Sequence, residues 1–209
     1  MLTELKVTDF LDKVAGSDPV PGGGSVAALS GALASALGAM VARLTVGKKN
    51  YEVSWAEMER VAADLFAARE GFTADIDRDS EAYDRVFACF KMPKATDEEK
   101  AARSAAIQEA TRQAALVPME VARKAFALMP ALAYVARNGN RNAVTDACVA
   151  MMSARNAVLG ALLNVRINLG SLKDKEFVAA LQAEADDLER KACDEEARLL
   201  ESITQELRV

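Results

Sequence analysis

The chain has 209 residues, enough for one domain with a substantial hydrophobic core. Its net charge is −5 and its basic residues are scattered, so nucleic acid is not an expected partner. It contains no histidine, which removes the commonest general base and metal ligand. We therefore predict no metal site, and any acid–base chemistry must come from Asp, Glu, Lys, Tyr or Cys.

The composition favours helices over sheets. Apolar residues make up 51% of the chain but aromatic residues only 5%, and alanine is abundant, whereas strands prefer aromatic and β-branched residues. No segment alternates as a strand would, and no repeat or linker is visible. We predict an all-α protein, a single-domain bundle of long, mostly antiparallel helices covering residues 1–209. The three cysteines are far apart and no signal peptide is recognisable, so we expect reduced thiols and a cytoplasmic protein.

In chain order, the first element is a short amphipathic helix. It covers about Thr8 to Ala15, with Phe10, Leu11 and Val14 predicted to face inward.

A glycine-rich loop and an uncharged helix follow. Pro21 to Gly24 form the loop, whose glycines allow a close backbone approach, and Ser25 is the predicted N-cap of the helix. From Val26 to Ala42 the sequence has no charge, which predicts a helix buried on all faces. Its free N–H groups could hold an anion, although a glycine turn before a buried helix is more often only a turn. Alanine, glycine and serine dominate this helix, so a transmembrane span is not expected.

One narrow side of this helix carries only small residues. They are Gly31, Ser35, Gly38, Ala42 and Thr45. We expect a second helix to approach closely along this line, and we predict that Gly47 ends the helix.

The next helix is predicted from a capping box, Ser54 with Glu57, to about Phe90. In its second half Asp79 falls in the middle of an apolar stripe that also contains Phe72 and Tyr83. A carboxylate on such a face is costly unless it is paired or hydrogen-bonded. Asp79 is therefore either a structural partner of an Arg or Lys or a functional acid or base.

The remaining elements are three predicted helices. A second capping box, Thr96 with Glu99, opens a helix that Pro118 should kink or restart. Met129, Pro130 and the run from Asn138 to Asn140 mark another break. Asn142 to Leu169 is a second buried helix, and about Asp174 to Arg208 is a charged amphipathic one. In the Asn142–Leu169 helix a polar line runs through Asp146, Ser153, Ala157 and Asn164, which fits either a cleft wall or a tight helix contact.

Several motifs together resemble the cyclodeaminase/cyclohydrolase family of folate enzymes. They are PGGGSVAALSGALASALGAMV, LTVGKKNY, DRDSEAY, MPKATDEEKAARSAAIQEA, GNRNAVTD and NVRINL, in order along nearly the whole chain. The resemblance implies an all-helical homodimer that binds a tetrahydrofolate in a cleft near the subunit interface, with no other cofactor, no nucleic acid and no membrane.

The resemblance also implies two possible reactions. One is hydrolysis of 5,10-methenyltetrahydrofolate to 10-formyltetrahydrofolate, and the other is closure of 5-formiminotetrahydrofolate with release of ammonia. The paired lysines of GKKNY resemble the stand-alone cyclohydrolases more closely, so hydrolysis is preferred. A folate-binding helical dimer without catalysis is a further alternative.

For this substrate the resemblance suggests a set of site residues. The expected catalytic residues are Asp79, Asp146 and Lys48, with a carboxylate stabilising the cationic methenyl bridge and Lys48 acting on a departing nitrogen. The expected substrate-binding residues are Pro21, Gly22, Gly23, Gly24, Ser25, Lys49, Tyr83, Asn142 and Asn164. Tyr83 could stack on the pterin or fill the core, and Lys48, Lys49 or the helix N-terminus would suit the glutamate carboxylates.

Overall fold

Six α-helices dominate the computed structural model, which describes residues 1–208 and has no β-strand among them. The helices are α1 (Val7–Val14), α2 (Gly23–Arg43), α3 (Trp55–Phe90), α4 (Asp97–Asn138), α5 (Val144–Leu169) and α6 (Lys175–Leu207). Short 3₁₀ turns cover Leu2–Glu4, Glu52–Ser54 and Arg141–Ala143. The predicted all-α bundle is confirmed.

Helix α2 lies at the centre of the bundle, packed against α3 on one side and α5 on another. The predicted line of small residues allows these close approaches. A methyl group added at Gly31 would come within 2.6 Å of the Phe72 ring, and one added at Gly38 would overlap Leu132. Both neighbours are fully buried, so the missing side chains let α3 and α4 pack directly on the α2 backbone.

Helix α5 runs antiparallel to α2. Asn164 approaches Gly23, Gly160 approaches Ala27, and the Asn156 amide donates to the Ser30 hydroxyl at 2.9 Å. At the other end of α2, the Asn140 backbone N–H donates to the Thr45 hydroxyl. The chain order alone therefore fixes which residues of the two helices share an end of the bundle.

Of the three predicted N-caps, two are right and one is wrong. Thr96 and Glu99 form the complete capping box. Ser54 is the N-cap of α3, but its side chain makes no capping hydrogen bond, so the predicted capping box with Glu57 is absent where a 3₁₀ turn leads directly into the helix. Ser25 is not the N-cap of α2: the helix begins at Gly23 with Gly22 as the cap.

A helix restart at Pro118 and a break at Pro130 are both excluded, because α4 runs without interruption from Asp97 to Asn138. A proline inside a helix typically costs about 3 kcal/mol, mostly through a lost N–H and a clash with the preceding turn. Here α4 packs along α5, α3 and α2, and this tertiary packing outweighs the local preference. The helix ends at Asn138, with Gly139 as its C-cap, within the break predicted over Asn138 to Asn140.

The prediction that α2 is buried on all faces is wrong on one side. Leu33, Met40 and Leu44 are exposed, and a parallel stripe of α5 is exposed as well, through Val149, Met152, Leu163 and Ile167. Asn156 lies on the α5 stripe and bonds to α2, so the two stripes adjoin. We call these seven apolar residues the α2–α5 face. Similarly, only Phe10 of α1 is buried, while Leu11 and Val14 are exposed.

Two stretches are long and apolar enough to cross a membrane by length and hydropathy alone, α2 and Arg141–Leu169. Within the fold, 67% and 50% of their most hydrophobic windows are buried. The core helices of a bundle pass the same test, so these stretches are accounted for by the fold itself.

Candidate active site

A cleft of about 330 Å³ lies at the N-terminal end of α2. Its walls come from the loop before α2, the middle of α3, one turn of α4 and the last turns of α5. The lining residues are Pro19, Val20, Gly22, Gly23, Gly24, Asp79, Ala82, Tyr83, Val86, Ala114, Asn164, Ile167 and Asn168. Five of the predicted site residues besides Asp79 therefore share this cleft: the three glycines, Tyr83 and Asn164.

The three glycines bring the start of α2 into direct contact with α3 and α5. A methyl group at Gly24 would overlap the carboxyl group of Asp79, and one at Gly23 would lie 3.3 Å from the Asn164 amide nitrogen. The sequence predicted that something would approach the glycine backbone closely. In the structure, the side chains of Asp79 and Asn164 make this close approach.

Asp79 is held by Ser25. The Ser25 hydroxyl lies 3.2 Å from Asp79 Oδ2, and its backbone N–H also bonds to the carboxyl group. The free N–H groups at the N-terminus of α2 therefore already have an anionic acceptor within the chain. Burial raises the pKa of Asp79 above its usual range, and the hydrogen bonds from Ser25 only partly oppose this rise.

A second carboxylate, Asp75, shows what a purely structural acid looks like in this fold. It is only 3% exposed and pairs with Lys124 at 2.8 Å and with Arg78 at 3.4 Å. The structural alternative considered for Asp79, an ion pair with Arg or Lys, applies to Asp75 instead. Asp79 has no such ion pair within residues 1–208, so it keeps the functional interpretation.

Two asparagines of α5 form the wall opposite Asp79. The Asn164 amide donates to the Gly160 carbonyl at 2.8 Å. Asn168, one turn later, donates to the carbonyls of Asn164 at 2.8 Å and Ala114 at 3.1 Å. Ala114 is the residue whose carbonyl would normally bond to the N–H of residue 118, and Pro118 has none. Sequence reasoning missed Asn168, although its four-residue spacing from Asn164 on the same helix could have indicated it.

Tyr83 is not a core residue. It is 40% exposed, lines the cleft one turn after Asp79, and stacks on Phe87 with 6.3 Å between ring centroids. Its ring therefore remains available to a ligand.

The other predicted residues do not meet Asp79 within one chain. The cleft is at the N-terminal end of α2, whereas four predicted residues lie at the opposite end of the bundle. Lys48 and Lys49 follow the C-terminal end of α2, Asn142 lies in the 3₁₀ turn before α5, and Asp146 is in the first turn of α5. The 21 residues of α2 separate the ends by about 30 Å. Within one chain these four residues therefore do not share a cleft with Asp79, because the length of α2 lies between them.

Pro21 and Ser25 need a correction too. Both are buried and neither lines the cleft, so they cannot contact a ligand directly in this arrangement. Ser25 is fully buried because its hydroxyl is turned into α3, where it bonds to the Ile76 carbonyl at 2.9 Å.

The protein is thus an all-α bundle in which the carboxylate of Asp79, which has no ion-pair partner within residues 1–208, lies against the glycines at the N-terminus of α2. Residues 6–187 match the family model described as formiminotransferase-cyclodeaminase. The chain belongs to this family.

Relatives with known names agree. A methenyltetrahydrofolate cyclohydrolase of Methylorubrum extorquens is 43% identical over 171 residues, which is 82% of each chain. A formimidoyltransferase-cyclodeaminase of Rattus norvegicus is 36% identical over 84% of this chain but only 32% of its own length. The crystal structure of a formiminotetrahydrofolate cyclodeaminase from Thermotoga maritima superimposes with a TM-score of 0.83 at 31% identity, covering 98% of this chain and all of that one.

Proposed function

We propose that this chain is a methenyltetrahydrofolate cyclohydrolase that converts 5,10-methenyltetrahydrofolate and water to 10-formyltetrahydrofolate. The observation that carries this proposal is the 43% identity to a cyclohydrolase over 82% of both chains, in a family whose motifs here surround a cleft with an unpaired carboxylate. Cyclodeaminase activity is the second candidate, favoured by the structural similarity to the Thermotoga maritima protein.

The chemistry of the cleft suits a cationic substrate. The methenyl bridge carries a positive charge that Asp79 can stabilise, since within one chain no basic side chain among residues 1–208 lines the cleft. As the water oxygen bonds to the bridge carbon, the carboxylate accepts a proton from the water. The bond from that carbon to N5 then breaks: the added hydroxyl loses its proton and becomes the oxygen of the formyl group on N10, while N5 takes up a proton. One proton is released overall.

The test is a side-by-side assay of both substrates. We expect purified protein to remove the methenyl absorbance of 5,10-methenyltetrahydrofolate rapidly and to release little ammonia from 5-formiminotetrahydrofolate. Faster ammonia release would favour the cyclodeaminase. Folate binding without turnover of either substrate would leave only a binding protein.

We also propose a cytoplasmic homodimer, with no cofactor beyond the tetrahydrofolate itself and no membrane association. The argument for the dimer is the α2–α5 face. Leu163 and Ile167 are 64% and 76% exposed and belong to one continuous apolar stripe, which is more than a soluble surface usually leaves open. A second copy can cover this face with its own identical face, as a two-fold interface requires.

A charge on this face should separate the subunits. We expect the wild-type protein to sediment at twice its chain mass and Leu163→Glu to sediment as a monomer, because the new carboxylate would be buried in the interface. Val53→Glu is the matched control: Val53 is fully exposed in the 3₁₀ turn before α3 and lies off this face. A monomeric wild-type protein would contradict the dimer.

In such a dimer, Lys48, Lys49 and Asp146 would lie close to an Asp79 cleft. A two-fold axis perpendicular to α2 and passing near its middle exchanges the two helix ends. Lys48 and Asp146 of the partner subunit would then lie beside the Asp79 cleft, Lys48 near the departing nitrogen and Lys49 near the glutamate carboxylates. The exposed Ile167 lines the cleft and also belongs to the α2–α5 face, which supports a site beside the interface.

A further inference from the structure

We propose that Ser25 and Ser80 form a hydroxyl pair that positions Asp79 and gives its carboxyl group a hydrogen bond in both of its protonation states. This inference rests on the proposed function for its role in catalysis. It rests on the packing of α2 against α3 for its geometry.

Three groups surround the Ser25 hydroxyl. Its oxygen lies 2.9 Å from the Ile76 carbonyl oxygen, 3.2 Å from Asp79 Oδ2 and 3.2 Å from the Ser80 hydroxyl oxygen. Ser25 is fully buried, so water cannot take the place of these partners. A hydroxyl has one hydrogen to donate and two lone pairs with which to accept. It cannot donate to Ile76 and Asp79 at the same time.

The two possible directions correspond to the two states of Asp79. When Asp79 is ionised, the Ser25 hydroxyl donates to Oδ2 and accepts a hydrogen bond from Ser80. When Asp79 is protonated, its own O–H donates to Ser25, whose hydrogen turns to the Ile76 carbonyl. The rotation needs no heavy-atom movement, and no buried polar group loses its partner in either state. A group that must take up and release a proton in each turnover needs such an environment.

Within residues 1–208, no charged side chain other than Asp79 lines the cleft. Other charged groups of α3 have partners elsewhere or are exposed: Asp75 and Arg78 bond to Lys124 and Glu120 of α4, Asp77 bonds to Leu2 and Thr3, and Glu81 and Asp84 are exposed. Tyr83 is the other titratable group that lines the cleft, while α2 and α5 contribute no charged side chain to its walls. Within residues 1–208 of one chain, the Ser25 hydrogen bonds therefore act on an Asp79 carboxyl that has no ion pair.

The test follows the Asp79 carboxyl carbon by NMR as a function of pH, with the signal assigned by its loss in Asp79→Asn. In Ser25→Ala the ionised form loses a charge-assisted hydrogen bond, so we expect the midpoint to move up by on the order of one pH unit. The acid limb of the kcat profile should move with it, and kcat should fall more than KM changes. Ser80 is only half-buried, so Ser80→Ala should move the Asp79 midpoint and the acid limb of the kcat profile in the same direction, but by a smaller amount than Ser25→Ala.

Ser35→Ala is the matched control. Ser35 is on the same helix and equally buried, but its hydroxyl bonds only to the Gly31 carbonyl of its own helix. An Asp79 midpoint that is unchanged in both Ser25→Ala and Ser80→Ala would overturn the inference. A moved midpoint in a protein that does not hydrolyse 5,10-methenyltetrahydrofolate would support the hydroxyl pair and count against the proposed function instead.

Discussion

An Asp79→Asn variant is expected to fold normally and to lose a factor of about 10² to 10⁴ in kcat for 5,10-methenyltetrahydrofolate hydrolysis. Asparagine keeps the shape and can still accept the hydrogen bonds from Ser25. It cannot take a proton from water or offset the charge of the methenyl bridge. Steady-state kinetics monitored by the methenyl absorbance would measure the loss.

The role of Asp79 can also be tested by the pH dependence of the rate and of the stability. Because the pKa of Asp79 is raised, the ionised form and the wild-type rate increase as pH rises through that pKa. For the same reason, the folded protein loses stability over this range, since burial penalises the ionised form. The variant should lack both effects, and its melting temperature near neutral pH should be no lower than that of the wild type.

Asp84→Asn is the control on the same helix, because Asp84 is exposed and lies outside the cleft. We expect it to keep wild-type kinetics. An Asp79→Asn enzyme with the full rate would exclude Asp79 as the catalytic base.

Mixing two inactive variants should restore activity. In a dimer whose sites combine the Asp79 end of one chain with the Lys48 end of the other, Asp79→Asn and Lys48→Met damage opposite halves of each site. A mixed dimer then contains one site with both defects and one intact site. Random exchange of equal amounts should recover about a quarter of the wild-type activity, whereas each variant alone should be nearly inactive.

A second mixture provides the control. Asp79→Asn and Gly24→Ala both damage the cleft end, the latter because the added methyl group overlaps the Asp79 carboxyl. Their mixed dimer has no intact site and should stay inactive. If the Asp79 and Lys48 variants also fail to complement each other, the shared site is wrong, and Lys48 has no part in the chemistry at Asp79.

Much of this fold could be predicted because its signals are local. Helical periodicity located Asp79 on an apolar face, and the small residues of α2 indicated the close contacts that Gly31 and Gly38 make. The capping box at Thr96 was equally readable. Each of these depends on residues within a few turns of one another.

The features that could not be predicted from the sequence depend on contacts between residues far apart in the chain. Asp75 was not singled out because its principal partner, Lys124, lies 49 residues away. The helix is not interrupted at Pro118 or Pro130, because α4 is packed against the neighbouring helices α5, α3 and α2. The order of motifs along the chain could not reveal that α2 holds Lys48 and Asp79 at opposite ends.

The proline at position 118 has a consequence for the cleft four residues earlier in the helix. By leaving the Ala114 carbonyl without its usual donor, it provides an acceptor that, together with the Asn164 carbonyl, occupies both hydrogens of the Asn168 amide. These two carbonyls fix the amide orientation, so only the side-chain oxygen of Asn168 is left to meet a ligand. The absence of one backbone N–H in the middle of α4 thus leaves the side-chain oxygen of Asn168, and not its NH₂ group, unbonded on this wall of the cleft.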